Sequence, residues 1–234
     1  MAPLSPAELA ELRKFSSPTL SNAIERFGVR PKNQGFMSPE IPCVFPDLAP
    51  LVGYAVTCTV AADQPAAGTR QAARDAYWEY SQTIPGPRIS VHQDLDQPAC
   101  VGAFFGDVNS NIHKSLGFAG AITNGSVRDL TEVHAIGFQF FAPAPSVSHA
   151  WVHMVDFGTP VKVGGLVVNP GDLLFADQHG VLLIPSQIAQ DVAAVAREIE
   201  SLEGALIKYC QSPEFTLAGL KPRFQEMRAR IDGK

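Results

Sequence analysis

The stretch VGAFFGDVNSNIHKSLGFAGAITNGSVRDLTEVHAIGFQFF, Val101 to Phe141, decides the fold class. Val101–Phe105 is an apolar run that ends at Gly106. Asp107 then opens a polar, helix-compatible segment closed by Gly117, because glycine readily takes the left-handed conformation that ends a helix. Ala119–Thr123 reads as a short apolar strand, and Asn124-Gly125-Ser126 as a turn. Arg128 and Asp129 open a second helix, closed by Gly137, and Phe138–Phe141 reads as another strand. Strands alternating with helices at this spacing predict a layered α/β domain with some parallel pairing.

Upstream, Ser5, Pro6 and Glu8 form a capping-box pattern for a first helix, with Leu4 and Leu9 placed to staple it. A second helix is predicted over Pro18–Phe27, stopped by Gly28, and residues 29–52 read as irregular. Gly53–Ala61 is rich in Val and Thr and reads as a strand. A helix over Thr69–Tyr80 and a strand over Arg88–His92 follow. Downstream, Val161–Val163, Leu166–Val168, Leu173–Ala176 and Val181–Ile184 are short strands. The turns between them, Gly164-Gly165, Pro170-Gly171-Asp172 and Gly180, predict hairpins. A long helix over Gln187–Cys210 and a loose tail complete the reading. With no repeat and no low-complexity linker, residues 1–234 read as one domain.

Composition narrows the function classes. The chain has 234 residues, 46% hydrophobic and 18% charged, which supports a packed core. A net charge of −5 argues against a nucleic-acid surface, where Lys and Arg would concentrate. No apolar stretch is long enough to span a bilayer, and the N-terminus lacks the basic-then-apolar profile of a signal peptide, so a cytoplasmic location is expected. Cys43, Cys58, Cys100 and Cys210 are scattered, with no C-x-x-C pair to hold zinc or exchange disulfides. No dinucleotide fingerprint or P-loop is present. His149 and His153 have zinc-ligand spacing only if helical, and the region after Pro145 does not read as helix. His179 reads as supporting the turn beside Asp177, and His113 is placed on the pocket side of the helix opened by Asp107.

The chemistry-bearing residues concentrate between Gly106 and Asp129. Asp107 and Asp129 both stand where a strand ends and a helix begins, the edge at which open α/β sheets bind ligands. Helix N-termini there offer free amides and partial positive charge to a carboxylate. Asp129 is a hard oxygen ligand for Mg²⁺ or Mn²⁺, and the Arg128 guanidinium offers forked donors to a substrate carboxylate or enolate oxygen. Taken alone, such a pair is more often a helix cap with a surface ion pair than a metal site.

The wider pattern resembles the RraA-like family, which includes the 4-hydroxy-4-methyl-2-oxoglutarate and 4-carboxy-4-hydroxy-2-oxoadipate aldolases. Those aldolases carry an Asp, twenty intervening residues, then Arg-Asp, as Asp107 and Arg128-Asp129 do here. Gly117 to Asp129, Ser17 to Gly28, Gly53 to Thr57, Pro170-Gly171-Asp172 and Ala176 to Val181 also resemble family segments. The resemblance implies a layered β/β/α sandwich of the swivelling-domain type, assembled as a homotrimer or homohexamer with sites at subunit interfaces.

It further implies a divalent-metal-dependent lyase acting on a small 2-oxo acid. The reaction would be retro-aldol cleavage releasing pyruvate, or oxaloacetate decarboxylation, each through an enolate whose charge the metal takes up. Asp129 would hold Mg²⁺ or Mn²⁺, Arg128 would contact substrate and enolate, and Asp107 would hold a proton-carrying water. The turn Gly106-Asp107-Val108-Asn109 would bind the substrate carboxylate through the Val108 and Asn109 amides. Glu200 or Glu203 would supply an acid from a neighbouring subunit. The same resemblance allows a non-catalytic regulator that binds and inhibits a ribonuclease. Asn124 replaces a common Asp, Asn22 does likewise in the opening helix, and Ser148–His153 departs from the family's basic segment.

Overall fold

The computed structural model describes residues 2–67 and 70–231; Thr69, the expected start of the third helix, lies outside them. The chain divides into two compact units, one formed by Gln34–Ser186 and the other joining Leu4–Asn33 to Gln187–Lys234.

The second unit is helical. Its first helix, α1 (Pro6–Leu12), has the predicted capping box: Glu8 N–H donates to Ser5 Oγ at 3.3 Å, and Ser5 N–H donates to Glu8 Oε2 at 2.7 Å. Helix α2 (Ser17–Arg26) starts one residue before its expected proline because Ser16 caps it, accepting from Thr19 N–H.

The first unit is built on an eleven-residue strand, β1 (Leu51–Ala61). Then come α3 (Arg70–Ser81), β2 (Arg88–Asp94), α4 (Asp107–Ser115), β3 (Phe118–Thr123), β4 (Ser126–Val127), α5 (Leu130–Ala135), β5 (Gln139–Phe141) and β6 (Ala144–Pro145). The remaining strands are β7 (His153–Phe157), β8 (Val161–Val163), β9 (Leu166–Val168), β10 (Leu173–Asp177) and β11 (Gly180–Ile184). The main sheet runs β11-β10-β1-β2-β3-β5, with parallel pairing from β1 through β5 and antiparallel pairing at β10 and β11. β1 is long enough to pair β10 through Leu51–Tyr54 and β7 through Cys58–Ala61 along the same edge, with a register shift between Thr59 and Val60.

Alternation along the strands creates two cores, since successive side chains face opposite sides of a sheet. Ala55, Ile89, Val91, Ile122, Phe141 and Leu174 pack beneath the β8–β9 hairpin, whose Val161, Val163 and Val168 close that side. Val56, Cys58, Ala121 and Phe140 face the other way, with Tyr77 of α3 and Val133 of α5. Hairpin, sheet and helices therefore stack as β, β and α layers, the expected fold class.

The helical unit is completed by α6 (Val192–Cys210) and α7 (Leu217–Ile231). The ion pair of Arg26 with Glu198, at 2.7 Å, joins α2 to α6.

Two expectations are corrected, and one strand is added. Val101–Phe105 forms no strand; only Phe105 makes a bridge, to Val127. The tail is α7 rather than loose, although Pro222 removes one helical donor inside it. Local contacts compensate: Thr216 N–H donates to Tyr209 Oη at 3.0 Å, and the Arg223 guanidinium lies 4.0 Å over the Tyr209 ring. The added strand is β7, in a stretch to which the sequence reading assigned no element; its pairing with β1 orders it.

Phe105 is 1% exposed and packs on Phe138 and Phe140, so the residue just before the Gly106 turn is an anchor of the helix-side core. Phe105→Ala is expected to lose about 3–5 kcal/mol of stability through the cavity it opens, read as a drop in denaturant midpoint.

Candidate active site at the ends of the parallel strands

The candidate residues gather at the C-terminal edge of the parallel strands. β3 ends at Thr123, and the chain turns through Asn124-Gly125 into β4, Arg128 and Asp129. The turn is held from β2. Asp94 N–H donates to Asn124 Oδ1 at 2.8 Å, and Asn124 Nδ2 donates to Asp94 O at 3.0 Å. An amide can give and accept at once, which is what Asn124 does at this position. Gly125 is equally constrained, since a Cβ there would lie 2.8 Å from Asp94 Oδ2. Asp94 is thus a supporting residue that the sequence reading missed; its place at the end of a strand on the ligand edge is the signal that marked it.

Asp129 caps α5 with φ 55° and ψ 45°, a left-handed conformation that Asp tolerates better than most residues. Its neighbours impose it. Arg128 N–H donates to Phe105 O at 3.0 Å, and Val133 N–H donates to Asp129 O at 3.0 Å. Asp107 N–H donates to Asp129 Oδ2 at 2.9 Å, so the start of α4 and the start of α5 are tied by one carboxylate oxygen. Local strain of this kind costs on the order of 1–3 kcal/mol and tends to gather where function needs it.

Gly106 makes the approach possible. A Cβ on it would lie 2.4 Å from Asp129 Oδ2 and 2.9 Å from both Cγ and Nε of Arg128. Arg128 Nε stands 3.4 Å from Asp129 Oδ2, a pair about one-third exposed and worth at most about 1 kcal/mol. Among the described residues, neither the terminal nitrogens of Arg128 nor Oδ1 of Asp129 has a hydrogen-bond partner.

At α4, Asp107 Oδ1 accepts from Asn111 Nδ2 at 2.7 Å. Asn109 turns its side chain back, Nδ2 donating to Phe104 O at 2.6 Å. The Val108 and Asn109 amides belong to the first helical turn and have no intrahelical acceptor, and Gly106 offers no side chain to cap them. Asp107, Val108, Asn109, Arg128 and Asp129 are therefore brought together, with Gly106 serving as the space between them. Glu200 and Glu203 lie on α6, in the helical unit. Among the described residues, no three His, Cys, Asp or Glu side chains converge on a metal-sized site.

The other histidines are placed differently. His113 does not face a pocket; it is 0% exposed beneath α4, its Nδ1 bonded to Asn109 O at 2.7 Å, because its side of the helix meets the aromatic core. Burial pushes its pKa from about 6.5 down to about 4. Burial, then the nearness of His113, pushes buried His92 well below its ordinary value. His149 and His153 bond backbone carbonyls of Ala150 and Trp151 in irregular chain and at the start of β7, not on a helix. His179 meets Asp177 at 3.2 Å within the β10–β11 turn, as read.

Two outcomes follow. Gly106→Ala is expected to separate Asp129 from Asp107, lowering the melting temperature and speeding hydrogen exchange at the Asp107 amide. For His113 the unfolded ring takes up a proton below about pH 6.5 while the folded ring stays neutral to about pH 4, so its contribution to stability falls as pH drops through that window, and His92 acts in the same direction. A His113→Phe variant should show a shallower fall in denaturation free energy between those pH values.

The family comparison covers both ends of this site. The aldolase/RraA family model, described as RraA-like, matches residues 17–183. A provisionally named 4-hydroxy-4-methyl-2-oxoglutarate aldolase of Halalkalibacterium halodurans is 29% identical over 136 residues, 58% of this chain and 62% of its own length. A 4-hydroxy-4-methyl-2-oxoglutarate aldolase of Thermus thermophilus is 39% identical over 71 residues, 30% of this chain and 43% of the relative. The chain thus spans less than two thirds of the length of these curated relatives. A crystal structure of an uncharacterized Pseudomonas syringae protein superposes with a TM-score of 0.74 at 22% identity, covering 96% of each chain. Streptomyces coelicolor RraAS2, titled an unusual member of the RNase ES inhibitor RraA protein family, superposes with a TM-score of 0.67 at 22% identity, covering 87% of this chain and 97% of its own. With most of the chain matched by the family model and the Asp107 to Arg128-Asp129 spacing assembled at one sheet edge, this chain belongs to the RraA-like, aldolase/RraA family.

Proposed function

We propose that this chain is a divalent-metal-dependent carbon–carbon lyase acting on a small 2-oxo acid, by retro-aldol cleavage releasing pyruvate or by decarboxylation of oxaloacetate. The observation that carries this reading is the division of labour on Asp129. One oxygen is pinned by the Asp107 amide, and the other is uncommitted beside an uncommitted guanidinium fork.

The donor set fits Mg²⁺ or Mn²⁺. Mg²⁺ is commonly held by one or two carboxylates with water in the remaining positions, and one free carboxylate oxygen is what Asp129 offers. When bound, the cation supplies Lewis-acid stabilisation of negative charge on the substrate's keto oxygen. The rest of the chemistry belongs to the chain. The Val108 and Asn109 amides, at the positive end of α4, hold the substrate carboxylate. The Arg128 fork donates to the oxygen on which charge accumulates as the bond to C3 breaks and its electron pair enters the enolate. Asp107, one oxygen steadied by Asn111, uses the other, through water, to take the proton of the C4 hydroxyl in retro-aldol cleavage and to return a proton to C3, which in decarboxylation comes from the water itself. Glu200 or Glu203 of a neighbouring copy completes the acid set in a homotrimer or homohexamer.

Relatives bearing the aldolase name support the lyase reading. A ribonuclease-inhibiting binder of the same fold is the other reading within the family, and turnover separates the two.

Purified protein is expected to break down oxaloacetate with Mg²⁺ or Mn²⁺ and to stop on addition of chelator. Asp129→Asn should keep the fold, since Asn also tolerates the left-handed region, and lose metal-dependent turnover. Arg128→Ala should bind metal normally and lose on the order of 100-fold in kcat. No metal-dependent rate on a panel of 2-oxo acids would refute the lyase and favour the binder.

A further inference from the structure

Beneath the turn that carries Asp107 and Asn109 lies a buried polar cluster with no part in the chemistry above. Four buried side-chain polar atoms lack a partner among the described residues, and three of them belong to this region: His92 Nδ1, Ser110 Oγ and His113 Nε2. His92 and His113 are 1% and 0% exposed, both against Phe104 and Phe105. Ser110 precedes His113 by three residues and so shares its side of α4.

Each ring commits one nitrogen. His113 Nδ1 lies 2.7 Å from Asn109 O, and His92 Nε2 lies 2.6 Å from Ser90 Oγ, itself 2.8 Å from Tyr77 Oη. A carbonyl oxygen only accepts, so His113 carries its proton on Nδ1 and leaves Nε2 a bare acceptor. Ser110 has a hydroxyl hydrogen to give. Each buried polar atom left unmet would carry its full desolvation penalty, so three together call for a common partner.

With His92 protonated on Nε2 and donating to Ser90 Oγ, one water would satisfy all three, giving its hydrogens to the two unprotonated ring nitrogens and accepting the Ser110 hydroxyl hydrogen. Three hydrogen bonds is the usual complement of a buried water. A water at ordinary hydrogen-bond distance from a nitrogen of each ring can join imidazoles with centroids up to about 8 Å apart. These centroids are 6.5 Å apart.

We infer that His92, His113 and Ser110 bind one structural water that ties α4 to β2, and that His113, through its Nδ1–H bond to Asn109 O, is a positioning residue for the amide-bearing first turn of α4. The positioning role rests on the proposed lyase reading; the water does not.

The test has two separable readouts. Long-range ¹H–¹⁵N NMR of the full chain at pH 7 is expected to show His113 neutral with its proton on Nδ1. A high-resolution crystal structure is expected to show one water within hydrogen-bond distance of His92 Nδ1, His113 Nε2 and Ser110 Oγ. An Nε2-protonated His113, or no density among these atoms, would overturn the water site. For positioning, His113→Phe is expected to raise KM for a 2-oxo acid about tenfold with kcat little changed, and His113→Gln to recover part of it, since its amide can again donate to Asn109 O. A folded His113→Phe with wild-type KM would remove the positioning role. Absence of any wild-type turnover would sink the lyase reading and the positioning role with it, leaving the NMR and the density to judge the water.

Discussion

One hydrogen bond organises the candidate site: the Asp107 amide to Oδ2 of Asp129, at 2.9 Å. It joins the first turn of one helix to the cap of the next, although twenty-one residues and two strands lie between them. It exists only because Gly106 leaves room for the carboxylate and because the backbone at 129 turns left-handed. A charge-assisted bond of this kind is worth about 1.5–3 kcal/mol, the same order as the strain it offsets. The arrangement is therefore held in balance by its surroundings, and the Asp129 oxygen left over is aimed by the fold.

Those surroundings are layered. Phe105 buries itself in the aromatic core and bridges Val127, so the two segments carrying the site arrive side by side. Asn124 clasps the backbone of Asp94 at the end of the neighbouring strand. His113 grips the Asn109 carbonyl from below. Each support is a backbone contact made by a side chain or a strand edge, and such contacts orient a site without touching its ligand.

Membership of the RraA-like family connects this geometry to two kinds of protein, aldolases and ribonuclease inhibitors. Fold alone does not choose between them, since function resides in the site. What favours chemistry here is polarity left unused: an open guanidinium fork, one carboxylate oxygen and two helix-start amides at the same edge. Among the described residues no helix is long and apolar enough to cross a membrane.

By itself the sequence determined the element types and the edge at which the site forms. Strand–helix alternation from Asp107 to Phe141, the capping box at Ser5 and the glycine stops at 117 and 137 are local signals, set by propensity and turn chemistry within a few residues. The Asp107 to Arg128-Asp129 spacing was legible only through its resemblance to the RraA-like aldolases. Tertiary structure alone decided which atoms meet. That Val101–Phe105 forms no strand, that residues 217–231 form a helix despite Pro222, that Asp94 supports the turn and that His113 faces the core all depend on partners far along the chain or on neighbouring elements. Periodicity shows that a residue has a buried side, but what it touches there is set by packing between elements, which no local pattern encodes.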